Sequence, residues 1–251
     1  MDIKDKRITI VGAQRSGAAL VRLALRLGAR VKVSEYEEEA VFPKEFLQWA
    51  CDNNVSFEFN GHTRPFIEDS DIVVLSPGVP LKAPLVQWAK AKNIFVLGEI
   101  EFAAQYCHKP IIAVTGSNGK TTVSTLVSQV VEAAGYKVCL CGNVGVPFSD
   151  FVLDLEDIDY VVLEVSSFQL ESVLDPTSSF RKPLSQGGLG LGGFKPYIAV
   201  ILNFSENHLD RHADMEEYFS AKQKISLNQG PEDYLVLNAK DFSQRGDHIF
   251  T

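Results

Sequence analysis

The nine residues Val114-Thr115-Gly116-Ser117-Asn118-Gly119-Lys120-Thr121-Thr122 constrain this chain most. They follow a β-rich run over 111–115 and open a helical pattern over 121–134 that stops at Gly135. A glycine loop between a strand and a helix is the turn of a parallel α/β unit, because a parallel strand needs a crossover after it. Glycines let backbone N–H groups turn inward, and the helix N-terminus adds partial positive charge. Such a loop suits a polyphosphate. Lys120 would reach the outer phosphates as a point charge, and the Thr121 hydroxyl would ligate Mg²⁺. The pattern departs from a strict GxxxxGK[ST], which needs glycine where Val114 stands. The alternative is a glycine turn that caps a helix and leaves Lys120 in solvent.

The rest of the chain repeats the same alternation. Strand-like runs at 7–11, 31–34, 71–75 and 94–97 are separated by helical patterns at 16–27, 42–53 and 83–92. Further strand-like runs follow at 111–115, 136–141, 160–165, 197–203 and 234–238. Alternation of this kind predicts parallel, doubly wound sheets. The pattern restarts near 103–110, and 251 residues fit two domains. The fold class expected is therefore α/β, with a Rossmann-like domain over 1–105 and a P-loop-type mononucleotide-binding domain over 106–251. The stretch 178–193 (SSFRKPLSQGGLGLGG) breaks the rhythm with five glycines between Gly187 and Gly193. It reads as a mobile surface loop, with a lid as the other use.

Charge and composition exclude some classes. Lys and Arg number 24 against 32 Asp and Glu, a net charge of −8, and no basic run appears. Nucleic acid is therefore not an expected partner. No apolar run approaches the roughly 18 residues that a membrane span needs. The N-terminus carries charges where a signal peptide has its apolar core. The expectation is a cytoplasmic monomer with no membrane partner. Cys51, Cys107, Cys139 and Cys141 form no CxxC pair or zinc spacing, so four buried, reduced thiols are expected.

Three later segments support a nucleotide at the glycine loop. Asn143 lies in GNVGVP directly after a strand, and His208 lies in LNFSENHLDRH after another. Glu164 sits inside the otherwise apolar run YVVLEV, where an unpaired carboxylate is costly and should meet a cation. All fall at carboxyl ends of strands, where open α/β sheets bind ligands. Near the N-terminus, Gly12 and Gly17 give GxxxxG with Gln14 in place of a middle glycine, and Glu35 follows 18 residues after Gly17. Alone, this leaves open a dinucleotide site or a tight structural turn.

Together TGSNGKTT, GNVGVP, LEVSSFQLE, LNFSENHLDRH and SAKQKI resemble the Mur ligases of peptidoglycan synthesis. SSFQLE resembles the branch that adds D-glutamate; other Mur ligases and folylpolyglutamate synthase share the glycine loop but differ there. The resemblance runs from Lys6 to about residue 240. It implies an ATP-dependent amide ligase that joins D-glutamate to UDP-N-acetylmuramoyl-L-alanine through an acyl phosphate, with ATP and Mg²⁺ bound. It implies that Gly116, Ser117, Asn118, Gly119, Lys120, Thr121 and Thr122 hold the nucleotide phosphates. Thr121, Glu164, His208 and Lys222 would serve the metals, Lys222 as a carbamate. Alone, Lys222 reads as a solvated helix lysine. Lys120, Glu164, His208 and Lys222 form the implied catalytic set. Arg15, Ser16, Gly17, Glu35, Tyr36, Ser76, Pro77, Gly78 and Asn143 would contact the UDP substrate.

Two departures accompany the resemblance. The family continues past Thr251 with the rest of its central domain and a further domain, so the chain alone is expected to have little or no ligase activity and to expose apolar surface. Residues 180–193 look inserted. The alternative function is a non-catalytic UDP-sugar-binding fragment or another Mur-type or folylpolyglutamate-type ligase. An NAD-dependent oxidoreductase is disfavoured.

Overall fold

The computed structural model describes residues 1–178, 192–206 and 212–242. These divide into two compact units. One holds Met1–Tyr106, Ser149–Leu153 and the described part of 172–193. The other holds Cys107–Phe148, Asp154–Glu171 and the described residues from Phe194 on.

The first unit runs β1 (Arg7–Val11), α1 (Arg15–Arg26), β2 (Arg30–Ser34), α2 (Lys44–Asp52), β3 (Ser56–Glu58), α3 (Arg64–Glu68), β4 (Ile72–Leu75), α4 (Pro84–Ala91), β5 (Phe95–Gly98) and α5 (Glu99–Ala104). Its sheet has the order β3-β2-β1-β4-β5, every pairing parallel. Near-continuous apolar runs such as IVVL in β4 are buried throughout, as a sheet covered on both faces requires. The α1 helix turns Gly17, Ala19, Leu20, Val21, Leu23 and Ala24 inward at helical period. Val11, Val73 and Leu75 pack with Leu85, Val86 and Ala89 of α4. Two buried carboxylates tie in the later segments. Glu99 accepts from the Ser149 hydroxyl at 2.6 Å, and Glu101 accepts from the Leu174 N–H at 3.3 Å.

The second unit runs β6 (Ile111–Thr115), α6 (Lys120–Ala133), β7 (Val138–Gly142), β8 (Tyr160–Glu164), α8 (Ser167–Glu171), β9 (Ile198–Ile201), α9 (Met215–Gln223), β10 (Tyr234–Leu237) and α10 (Ala239–Phe242). The short α7 (Phe148–Phe151) follows β7 in sequence. The sheet order is β10-β9-β6-β8-β7, again parallel. The two parallel α/β sheets expected from the alternation are both present. The fully buried β6 is central, so the glycine loop leaves the middle of the sheet.

One expectation fails. The four cysteines are free, and Cys139 and Cys141 are buried, but Cys107 is half-buried and Cys51 is exposed. Cys51 lies on α2, a surface helix that buries only Ala50. Residues 179–191, most of the apparent insertion, lie outside the described residues. Among the described residues, no helix is long and apolar enough to cross a membrane.

Candidate functional site

In the second unit the chemistry gathers at the carboxyl ends of β6, β8, β7 and β9. The loop after β6 turns at Gly119, whose φ of +79° is left-handed and favours glycine. Lys120 opens α6, and its Nζ donates back to Gly116 O at 2.9 Å and Ser117 O at 3.2 Å. The residues after β9 shape this loop. Asn203 Oδ1 accepts from Asn118 N at 2.9 Å, and Asn203 Nδ2 donates to Asn118 O at 3.0 Å. Ser117 N donates to Asn203 O at 3.1 Å. A Cβ on Gly116 would lie 3.0 Å from Leu202 Cβ, so glycine lets the two segments approach. No side chain caps the start of α6, which leaves its first-turn N–H groups facing the loop.

Lys222 approaches the same loop from α9. Asp214 caps that helix by accepting from Glu217 N at 2.8 Å. One turn apart, Tyr218 and Lys222 both point inward, and Lys222 is only 1% exposed. Its Nζ donates to Gly116 O at 2.9 Å and lies 4.6 Å from the centre of the Tyr218 ring. The Tyr218 hydroxyl lies 3.1 Å from Ser117 Oγ. Burial, helped by the charge of Lys120, pushes the Lys222 amine down to about 7. The solvated helix lysine is therefore not what forms. A neutral amine is the nucleophilic form that carbamate chemistry needs.

Glu164 ends β8 and is buried. Its Oε1 accepts from Asn143 Nδ2 at 2.9 Å, while Oε2 is buried with no hydrogen-bond partner. The turn that brings Asn143 there needs Gly142, where φ is +113° and a Cβ would meet Glu164 O at 2.3 Å. Glu164 and Thr121 both line one cavity of about 100 Å³, with Ser124, Thr125, Leu140, Val144 and Gly145. An orphaned buried carboxylate oxygen is costly, and a hard cation offsets that cost. Carboxylate and hydroxyl oxygens are the donors that Mg²⁺ takes, so the residues present fit that ion. Lys222 is not among the residues that line this cavity. His208 lies outside the described residues. Among the described residues, no three His, Cys, Asp or Glu side chains form a cluster able to hold a metal.

In the first unit, the loops after β1 and β4 meet at the point where strand order reverses, the usual place for a ligand. Ser76 Oγ donates to Gly12 O at 2.7 Å. A Cβ on Gly17 would sit 1.8 Å from Gly12 O, so glycine lets α1 start tucked against the loop. Arg15 and Gly78 are exposed, and Ser16 and Pro77 are half-buried beside this turn. Glu35 does something the spacing did not anticipate. Its Oε1 accepts from Tyr36 N at 2.7 Å and its Oε2 from Ala13 N at 2.5 Å. It closes the loop from within instead of reaching outward to a ribose. Tyr36 is 72% exposed at the same rim.

Sequence reasoning singled out neither Tyr218 nor Asn203. Tyr218 was findable, because it stands one helical turn before Lys222. Asn203 was not, because its role depends on how β9 pairs with β6.

Comparison with known proteins gives the family and the fold. Residues 114–247 match the Mur ligase middle domain, and residues 6–98 match the Mur ligase MurD-like N-terminal domain. The UDP-N-acetylmuramoylalanine–D-glutamate ligase of Geotalea uraniireducens (strain Rf4) is 39% identical over 241 residues, which cover 96% of this chain and 49% of that protein. The ligase of the same name from Koribacter versatilis (strain Ellin345) is 38% identical over 95% of this chain and 49% of its own length. The chain thus spans about half the length of the curated relatives it matches. Among solved structures, UDP-N-acetylmuramate:L-alanyl-gamma-D-glutamyl-meso-diaminopimelate ligase from Neisseria meningitides aligns with a TM-score of 0.57 at 16% identity, covering 96% of this chain and 74% of that one. UDP-N-acetylmuramate-alanine ligase from Thermotoga maritima aligns at 0.50 and 20% identity, over 97% of this chain and 51% of that one. These likenesses speak to the fold. With its middle-domain match covering more than half of its length, the chain belongs to the Mur ligase family.

Proposed function

We propose that this chain carries the nucleotide and UDP-substrate sites of an ATP-dependent ligase that adds D-glutamate to UDP-N-acetylmuramoyl-L-alanine. The observation that carries this reading is the orphaned oxygen of Glu164, a residue that lines one cavity with Thr121, in the first turn of α6, whose start no side chain caps. The relatives that match over nearly the whole chain are named for this reaction, which supports the choice of substrate.

Mg²⁺ would supply charge neutralisation on the transferring phosphoryl group. The protein's own residues do the rest. First-turn N–H groups of α6 hold phosphate oxygens. Lys120 leaves the loop carbonyls for a phosphate, gaining a charged partner in place of neutral ones. Thr121 and Glu164 present oxygens to the cation, and Asn143 keeps the Glu164 carboxylate in place. Lys222, as a carbamate, and His208 would complete a second metal site. In the first unit, Arg15, Ser16, Gly17, Tyr36, Ser76, Pro77 and Gly78 form the rim that receives the UDP group, with Glu35 holding the rim's shape. The substrate carboxylate would attack the γ-phosphorus as the bond from that phosphorus to the bridging β-phosphate oxygen breaks, giving an acyl phosphate and ADP. The D-glutamate amine then displaces phosphate and closes the amide bond.

Calorimetric titration with Mg²⁺ and ATP tests the nucleotide half. The wild-type chain is expected to bind, Lys120→Ala to bind weakly, and Glu164→Gln to lose the Mg²⁺ dependence. ATP binding that is indifferent to Mg²⁺ and to both substitutions would remove the basis of this reading.

A further inference from the structure

We infer that His212 is a positioning residue for the phosphate loop, acting through Tyr218; this rests on the nucleotide reading above. His212 is 2% exposed and lies three residues before α9. Its Nε2 shares a hydrogen bond of 3.1 Å with Ser167 Oγ, and its Nδ1 lies 3.7 Å from Glu171 Oε1. Ser167 and Glu171 are the first and last residues of α8 and stand one turn apart on it. Both ring nitrogens therefore face polar atoms of the helix that follows Glu164 and β8.

A buried imidazole must pair its polar nitrogens wherever it sits, and here each finds a partner on the same short helix. The hydrogen bond to Ser167 directs Nε2, and the Glu171 carboxylate stands near Nδ1, which together bias how the ring is turned. The ring centre lies 5.1 Å from that of Tyr218. Tyr218 continues the path. Ser117 Oγ already donates to Ser205 O at 3.0 Å, so its 3.1 Å contact with Tyr218 is one in which the tyrosine hydroxyl donates. Ser117 belongs to the loop whose carbonyls hold Lys120 and Lys222. Thus α8 orients His212, His212 braces Tyr218, and Tyr218 holds Ser117. The result is a connection from the segment carrying Glu164 to the loop carrying Lys120, made through His212 and Tyr218.

The test is calorimetric titration of the whole chain with Mg²⁺ and ATP for wild type, His212→Phe, His212→Gln and Ser167→Ala, each well below its own unfolding midpoint. Glutamine places a nitrogen near the position of Nε2, whereas phenylalanine keeps the ring and loses both nitrogens. Expected are about tenfold weaker binding for His212→Phe, a smaller loss for Ser167→Ala, and recovery to within about twofold for His212→Gln. If His212→Phe does not fold, Ser167→Ala against His212→Gln carries the test. Equal affinity in all variants, or a His212→Gln variant as weak as Ser167→Ala, overturns the inference and leaves the nucleotide site standing. A wild-type chain that binds no nucleotide overturns both.

Discussion

Lys222 sits against the glycine loop with its amine facing the Gly116 carbonyl and near another lysine, and burial holds that amine near 7 instead of its usual 10.5. The unfolded chain binds this proton more tightly than the folded one. Its charge therefore costs stability in full below about pH 7, and the cost fades as pH rises toward 10.5. Replacing Lys222 by methionine is expected to stabilise the chain at pH 6 by on the order of a few kcal/mol, with the gain shrinking at pH 9. Urea unfolding at the two pH values reads this directly, and an equal gain at both would contradict it. Glu164 leads to a second prediction. Its unpaired oxygen makes Glu164→Gln nearly neutral for stability, within about 1 kcal/mol, while Mg²⁺ affinity is lost. Asn143→Ala leaves the carboxylate present but unheld and is expected to weaken Mg²⁺ binding by about tenfold, measured by the same titration. Glu164 was legible in the sequence, because a lone carboxylate in YVVLEV asks for a partner. The burial of Lys222 was not, since α9 taken alone gives no sign of which face it turns inward.

At the scale of elements, the glycines at strand ends do the positioning. Gly17→Ala places a methyl against the Gly12 carbonyl, which is backbone and has nowhere to go. The expected loss is at least about 3 kcal/mol by urea unfolding, and a loss under 1 would mean that α1 shifts freely. Helix α6 behaves differently. It buries Ser124 and Ser128 and leaves Leu126 and Val130 more than half exposed. Leu126→Lys is therefore expected to change stability by less than about 0.5 kcal/mol. The sequence pattern over 121–134 revealed a helix and said nothing of which face it turns inward. The long apolar strands were readable for the opposite reason: runs such as IIAVT and IVVL have no polar face to offer. The three-residue β3 and the five-residue α3 and α8 were not readable, since segments so short carry less than two turns or pleats of pattern.

For the whole molecule, each of the two units holds one candidate site at the carboxyl edge of its own parallel sheet. The restart of strand and helix near residue 110 made both sheets legible. The strand–glycine–helix order of residues 111–134 made the loop between β6 and α6 legible too. The role of Glu35 was not, because spacing from Gly17 says how far a carboxylate is along the chain and nothing of which N–H groups it meets. The measurement that bears most directly on the proposed ligase is a calorimetric titration of this chain with UDP-N-acetylmuramoyl-L-alanine, with UDP as the reference. Binding of the full substrate, and tighter than UDP, is the expected result. A folded chain that binds neither would contradict the assignment of the first unit to the UDP substrate.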